Sequence, residues 1–195
     1  MRYRVIGLDI WQPYQKQQLT SRTYIRVSNR VLPLTVTVHR RDHHAPLWEQ
    51  RISYQEDWPR QHLRTVESAY RSAPYFEYYI DALRAFWAAP EETLGALNMR
   101  SAKLMASWLQ WSPVWHAWDR MQAPGEADDL RRLLMRHQWP DRWPMRTYFQ
   151  VFPGFEPGLS ALDLMLNLGP EAGQWLRAAG PPQLTGDTSD QSKEA

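Results

Sequence analysis

The first forty residues show the alternation of apolar and polar positions that is typical of β-strands. Residues 3–11 alternate loosely and include β-branched side chains, and residues 22–40 read as two strands joined around Ser28–Arg30. The clearest period-two segment is 34–38, where Leu and Val face one side and Thr faces the other. The pattern predicts an N-terminal antiparallel β-sheet.

From residue 57 onward, apolar residues recur at the three- and four-residue spacing of amphipathic helices. Asp57 is expected as the N-cap and Pro59 in the first turn of a helix over 57–72. Pro90 and the two acids after it are likewise expected in a first turn, and Ser160 is expected as another N-cap. The remaining helices are predicted over residues 73–87, 89–111, 112–121, 126–139, 160–168 and 170–180, and a late strand over 146–152.

Four of the eleven tryptophans follow a helical spacing. Tryptophan has a large apolar surface and one N–H that needs a partner, so most of them are read as core or helix-packing residues. Trp108, Trp111, Trp115 and Trp118 lie at steps of three, four and three. This spacing predicts a helical core stripe, with a new helix or a kink at Pro113.

Together these elements predict an α/β (α+β) fold, in which an N-terminal antiparallel β-sheet packs against a mainly helical C-terminal portion. A single domain is expected over residues 1–180, because a domain of this size buries about 70% of its extended surface and needs no covalent staple. Residues 181–195 have almost no apolar content, and a disordered tail is expected there.

The composition excludes several classes of site. There are no cysteines, which excludes disulfides, thiolate nucleophiles, zinc–thiolate sites and iron–sulfur sites. No apolar run approaches the ~18 residues of a membrane-spanning helix, and the first ten residues lack the apolar core of a signal peptide. We therefore expect a cytoplasmic protein with no membrane span.

The formal net charge is only +2, but it is unevenly distributed. The stretch from Arg22 to Arg64 contains eight arginines against four acids, and four of the six histidines. Such a stretch suits a phosphate, a nucleic acid or an acidic partner, while the plainer interpretation is a solvated basic face. No recognisable nucleic-acid-binding module accompanies it, so nucleic acid is not predicted as a partner.

The common catalytic and cofactor motifs are absent from the sequence. It contains no glycine-rich phosphate loop, no Gly-x-Ser-x-Gly elbow and no His-Glu-x-x-His pair. Asp42, His43 and His44 form a weak metal-ligand candidate, against which an exposed polar loop is the favoured interpretation. We predict no metal site and no cofactor.

Three segments resemble a known family. They are "YQKQQLTSR" at 14–22, "ISYQEDWPRQHLRTVESAYRSAPYFEYY" at 52–79 and "YFQVFPGFEPGLSALDLMLNLGPE" at 148–171. Together they resemble the WbqC-like protein family over roughly residues 5–172, and the last segment is the most specific.

The resemblance implies a role in bacterial surface polysaccharide, such as O-antigen, where a glycine or aminoacyl transferase acting on an amino sugar has been proposed for some members. Two departures from the family pattern stand out: Ser21 and Gly158 replace its asparagines. The chain is also expected to lack the strand and helix that precede the family's equivalent of Asp9. We therefore expect a shortened and partly rewritten site.

The family motifs also identify the candidate site residues. His62, Asp163 and Lys16 are assigned to catalysis. Substrate binding is assigned to the other polar residues that match the motifs, which are Arg22, Gln17, Tyr70, Gln150 and Asn167.

His62 is the one histidine inside a motif, and its imidazole titrates near neutrality, so it is a candidate general base. The equal alternative is a structural histidine bonded to a backbone carbonyl. Tyr70 lies two turns further along and is placed to share that face. The alternative for Tyr70 is a buried ring with a satisfied hydroxyl.

Asp163 is the third helical position after Ser160, so its carboxylate is expected either to close a capping box or to orient His62 or Lys16. Asn167 lies one turn later on the same side of the helix. Capping of the helix N-terminus does not account for an asparagine at this position.

Lys16 and Arg22 are expected to hold a phosphate or carboxylate, with ordinary strand-edge charge as the alternative. Convergence of both with His62 and Asp163 in one cleft between sheet and helices is expected.

Two functions follow as hypotheses. The first is a cytoplasmic transferase that moves an acyl or aminoacyl group onto a nucleotide-linked or lipid-linked amino sugar, with His62 deprotonating the acceptor amine. An acidic carrier protein is expected as the donor partner, because the arginine-rich stretch would attract it. The second is a non-catalytic binding or scaffold protein of a biosynthetic complex.

Overall fold

The computed structural model describes residues 4–39, 45–117 and 146–179. The order of elements mixes strands and helices, with most helices after residue 57, which confirms the α/β (α+β) class. The elements are β1 Val5–Leu8, β2 Arg22–Val27, β3 Arg30–Thr35, α1 Trp58–Tyr70, α2 Phe76–Ala88, α3 Leu94–Trp108, β4 Val114–Ala117, α4 Ala161–Leu168, a 3-10 turn Gly169–Glu171, and α5 Ala172–Ala179.

The predicted hairpin is present. β2 and β3 pair antiparallel from Arg22 opposite Thr35 to Val27 opposite Arg30, with a two-residue turn between them. The regular ladder ends at Thr35, earlier than the alternation to residue 38 indicates. Beyond it, Val36 and Val38 pack against a separate apolar cluster, so burial explains why the alternation continues.

The second strand pair differs from the prediction. β1 pairs in parallel with β4, and the amide of Val114 donates to the Arg4 carbonyl at 2.9 Å. The helix predicted over 112–121 is therefore wrong for residues 114–117, where β1 supplies the backbone hydrogen bonds that a helix would supply internally. The tryptophan spacing does not reflect one helix, because Trp108 ends α3 whereas Trp115 lies in β4.

The ends of the helices follow local chemistry only in part. Asp57 occupies the N-cap position of α1, although its side chain makes no capping bond. α3 begins at Leu94, because Thr93 caps the Ala96 amide at 3.3 Å, so Pro90 and the acids after it precede the helix. The expectation that they form its first turn is wrong.

The main core lies between the hairpin, α1, α2 and α4. Ile25 of β2 and Leu34 of β3 contact the apolar faces of the helices and are at most 5% exposed. On the helix side the buried members include Val66, Ala69, Tyr70, Phe76, Ile80, Leu83, Leu162 and Leu166. The sheet–helix packing places the end of α1 beside α4.

Segment 146–152 has no regular secondary structure, so the strand predicted there is wrong. Its polar groups are taken up by side-chain bonds, notably at Gln150, rather than by a strand ladder. The helix predicted over 126–139, the tail over 181–195 and the candidate at Asp42–His44 lie outside the described residues. Within the described ranges, no helix is both long and apolar enough to cross a membrane.

Candidate functional site

The most completely connected polar group in the described structure surrounds Asp163. This residue lies in the first turn of α4, is 1% exposed, and follows Ser160, whose hydroxyl caps the Leu162 amide at 3.2 Å. The prediction for Ser160 is confirmed. The capping-box interpretation of Asp163 is wrong, because its side-chain oxygens accept hydrogen bonds from elsewhere in the chain.

Two tyrosines hold the Asp163 carboxylate, one on each oxygen. Tyr70, the last residue of α1, donates to Oδ2 at 2.7 Å, and Tyr148 donates to Oδ1 at 2.7 Å. The hydroxyl of Tyr70 also accepts from the amide of Arg26 at 3.2 Å. The carboxylate thus connects α4, the end of α1, strand β2 and the segment after residue 146.

Gln150 and Arg26 close this group into a ring of hydrogen bonds. The side-chain amide of Gln150 donates to the Tyr148 hydroxyl at 3.2 Å, and its carbonyl accepts from Arg26 at 3.1 Å. Gln150 also makes two bonds to the backbone of Glu156, both at 2.9 Å. Arg26 donates further to the carbonyls of Pro153 and Gly154. The ring therefore fixes the loop over residues 150–156.

Asn167 completes the group from the next turn of α4. Its side-chain nitrogen donates to the Asp163 carbonyl at 2.8 Å and lies 3.4 Å from Oδ1, so the expected placement on one side of the helix is confirmed. Its own carbonyl oxygen is buried without a partner in the described structure. We call Arg26, Tyr70, Tyr148, Gln150, Asp163 and Asn167 the carboxylate cluster.

Burial dominates the titration of this cluster. Desolvation raises the pKa of Asp163, against the opposing effect of its hydrogen bonds from Tyr148 and Tyr70. Desolvation and the nearby carboxylate raise the pKa of both tyrosines, so they remain protonated donors. The cluster is thus suited to holding segments together in a dry environment and not to exchanging protons with a ligand.

A second polar group surrounds His62 in α1. The imidazole is partly buried, with its ring centroid 5.1 Å from Trp58 and 6.4 Å from Trp87. Burial lowers the pKa of His62 to about 4, opposed by a hydrogen bond to the backbone of Thr35 that favours the protonated ring. The ring is therefore neutral at pH 7, with one nitrogen engaged.

Arg22 reaches the same threonine through its side chain. Its Nε donates to the Thr35 hydroxyl at 3.2 Å, at the position where β2 and β3 are paired. His62 and Arg22 therefore share Thr35 as a partner. We call His62, Thr35 and Arg22 the imidazole cluster.

Lys16 and Gln17 lie on the exposed loop before β2. Gln17 has a positive φ of 68°, which is uncommon for a residue with a side chain. Among the described residues, neither side chain bonds to the imidazole or carboxylate cluster, and Asp163 contacts neither His62 nor Lys16 by hydrogen bond.

The expected single cleft is thus replaced by two clusters. Tyr70 and His62 are eight residues apart on α1, about 12 Å along its axis. Tyr70 matches its alternative description, a buried ring with a satisfied hydroxyl, and His62 has the backbone bond of its own alternative.

The sequence reasoning missed Arg26, Tyr148 and Thr35. Tyr148 precedes Gln150 by two residues inside a motif segment, a signal that was available. Arg26 is one arginine among the eight of the basic stretch, and nothing local distinguishes it. Within residues 4–39, 45–117 and 146–179, no three His, Asp or Glu side chains are grouped to hold a metal ion.

Comparison with known proteins identifies the family. The chain is 27% identical to "Uncharacterized protein Rv1507c" of Mycobacterium tuberculosis (strain ATCC 25618 / H37Rv), in an alignment of 193 residues that covers 84% of each protein. No solved structure matches the chain. The model of the WbqC-like protein family matches residues 4–143, well over half of the sequence, and ends before the Asp163 segment. The chain belongs to the WbqC-like protein family.

Proposed function

We propose that this protein is a transferase that moves an acyl or aminoacyl group onto a nucleotide-linked or lipid-linked amino sugar during the assembly of a bacterial surface polysaccharide. The observation that carries the proposal is the imidazole cluster, where a neutral imidazole and a guanidinium share Thr35. A proton acceptor beside a cation is the combination that a phosphorylated amine substrate requires.

His62 is the residue that takes the proton. In the reaction, the sugar nitrogen attacks the donor carbonyl carbon, the new C–N bond forms, and the bond to the leaving oxygen or sulfur breaks. The proton of the attacking amine passes through His62 to the leaving group. With its pKa lowered to about 4, His62 is too weak a base for a free ammonium. It accepts instead from the more acidic nitrogen of the tetrahedral adduct.

Arg22 supplies the positive charge for a phosphate of the acceptor, since a guanidinium binds phosphate oxygens in a fork geometry. Lys16 and Gln17 precede it on an exposed loop, where they are accessible to the donor. The surrounding basic stretch favours an acidic carrier protein as that donor. Asp163, Tyr70, Gln150 and Asn167 are buried among one another, so in this scheme they hold the end of α1 against α4 and do not contact the substrate.

A specific observation supports a second function, a non-catalytic binding protein of the same assembly pathway. The carboxylate of Asp163 bonds to tyrosines and is 1% exposed, so it does not orient His62. Within the described part of the chain, His62 therefore lacks the carboxylate that holds a catalytic imidazole in the correct tautomer and orientation, which favours binding over catalysis.

The test is a transfer assay read by mass spectrometry, with a UDP-linked hexosamine as acceptor and carrier-protein thioesters of glycine and acetate as donors. The native protein is expected to form the amide. His62→Gln is expected to lower the rate by about 100-fold or more, while the exposed His39→Gln is expected to leave it unchanged. Arg22→Gln is expected to weaken acceptor binding, with the exposed Arg30→Gln as its control.

Acceptor binding without transfer, unaffected by His62→Gln, would favour the binding protein. Neither binding nor transfer would overturn both functions.

A further inference from the structure

A groove runs along the side of α1 that is separate from both clusters. It has a volume of about 410 Å³, within the range of small-molecule sites. Its lining residues come from the hairpin turn, α1 and the loop fixed by the carboxylate cluster, and they are Val27, Ser28, Arg64, Thr65, Ser68, Ala69 and Phe152. No residue of the imidazole cluster lines it.

The charge in the groove is positive and unneutralised. Arg64 is the charged member of the lining, and no acid is among those residues. Within the described ranges, the guanidinium of Arg64 forms no hydrogen bond or ion pair. The guanidinium of Arg84 in α2, by contrast, is bonded to Glu67 and Asp81. An unpaired guanidinium beside a groove is available for an anionic ligand.

Hydroxyl groups surround that charge. Ser28 at the hairpin turn and Ser68 on α1 are exposed, and in the described part of the chain their hydroxyls have no partner. Thr65 differs, since its hydroxyl donates to the Gln61 carbonyl at 2.7 Å. Two free hydroxyls and a guanidinium match the several oxygens of a phosphate better than the two oxygens of a carboxylate.

The other wall of the groove is apolar. Val27 and Ala69 form part of it, and the half-buried ring of Phe152 comes from the loop over residues 150–156. Arg26 and Gln150 hold that loop through bonds to Pro153, Gly154 and Glu156. The carboxylate cluster thereby positions the aromatic wall.

We infer that this groove binds a phosphorylated sugar, with the phosphate at Arg64 and one face of the sugar ring against Phe152. A pyranose has an apolar C–H face and a hydroxylated edge, which match the two sides of the groove. The inference does not depend on the reaction proposed at His62, because the two sites have no lining residue in common.

The experiment is calorimetric titration of the full chain with glucosamine 6-phosphate, glucosamine and inorganic phosphate. We expect the sugar phosphate to bind more tightly than either part alone. Arg64→Gln is expected to weaken that binding about tenfold or more, while Arg60→Gln, an exposed change in the same helix outside the lining, is expected to alter it less than about twofold. Ser68→Phe, which fills the groove from an exposed position, is expected to abolish binding.

Several outcomes would overturn the inference. They are equal affinity in native protein and Arg64→Gln, no binding of glucosamine 6-phosphate, and tighter binding of uridine monophosphate or glucuronate than of the sugar phosphate. Binding lost in His62→Gln but kept in Arg64→Gln would move the ligand to the imidazole cluster. Loss of transfer activity with intact groove binding would count against the proposed function alone.

Discussion

The carboxylate cluster and the imidazole cluster each include one residue of α1. They differ in how many of their polar groups have hydrogen-bond partners. Around Asp163, both carboxylate oxygens, both tyrosine hydroxyls and the Gln150 amide are engaged with protein partners. Around His62, one ring nitrogen is engaged and the ring is only partly buried. The first arrangement is expected to stabilise the fold, while the second leaves a group able to meet a ligand. Matching a family motif therefore does not by itself assign a residue to catalysis.

The largest expected effect comes from removing the shared carboxylate. Asp163→Ala leaves the buried Tyr70 hydroxyl and the partly buried Tyr148 hydroxyl without an acceptor, so we expect a loss of about 3–5 kcal/mol in the free energy of unfolding, measured by urea denaturation. The control is Asp81→Ala, whose side chain is 88% exposed, and it is expected to change stability by less than about 0.5 kcal/mol. Similar values for the two variants would show that the closed cluster does not stabilise the fold.

The pH dependence of stability separates the clusters by sign. Because burial lowers the pKa of His62 from 6.5 to about 4, the unfolded chain binds this proton more tightly than the folded chain does. Its contribution to stability is complete above pH 6.5 and is lost as the pH falls toward 4, by up to about 1.4 kcal/mol per pH unit. Urea denaturation across this window is expected to show a shallower slope in His62→Gln, with His39→Gln unchanged.

Asp163 contributes the opposite slope. Burial raises its pKa above 3.8, so the folded chain binds this proton more tightly and its contribution decreases as the pH rises through that raised pKa. Asp163→Asn is expected to remove this component. If both variants changed the slope in the same direction, the contrast between the clusters would be wrong.

A smaller effect is expected from deleting one hydroxyl. Tyr70→Phe removes a bond to Asp163 and leaves the Arg26 amide without its acceptor, so we expect a loss of about 1–2 kcal/mol. Tyr148→Phe is expected to lower the stability by a similar amount, because the side-chain amide of Gln150 loses the hydroxyl to which it donates. Tyr78→Phe is the control, since Tyr78 is 79% exposed. Equal thermal denaturation midpoints for all three variants would rule out the closed ring as a source of stability.

The smallest expected effect lies in the exposed loop before β2. Gln17 has a φ of 68°, a region that glycine adopts without steric cost. Gln17→Gly is expected to stabilise the protein by about 0.5 kcal/mol, because the relief of strain exceeds the added freedom of the unfolded chain. Lys16→Gly, at a neighbouring exposed position that is not among those with positive φ, is the matched control and is expected to destabilise. Destabilisation by Gln17→Gly would show that its side chain has a structural role.

The sequence pattern predicted correctly those elements whose formation depends on neighbouring residues in the chain. The hairpin turn, the first two helices and the Ser160 cap follow from alternation, helical spacing and side-chain capping. The β1–β4 pair did not follow, because the partner of Val114 lies near the other end of the chain. A short apolar run can become a helix or a strand, and here a distant strand decides the outcome.

The same limit applies to the candidate site. Tyr70, Asp163 and Asn167 were identified from the motifs and are bonded directly, but Gln150 is connected to them through Arg26 and Tyr148. Burial decides whether a carboxylate reaches a substrate or a tyrosine, and burial is a property of the packed chain. The sequence therefore identified members of the cluster without identifying what they do.

The parallel pairing of β1 with β4 has a consequence for how the chain folds. Along the chain, β1 precedes the hairpin and three helices, and β4 follows them. The hydrogen bonds between β1 and β4 therefore close a loop of the chain that contains most of the core. Closing so long a loop has an entropic cost that local contacts do not repay, so we expect this pair to form late in folding. Fluorescent labels at Val5 and Val114, both at exposed positions, would follow the final step of assembly separately from formation of the core.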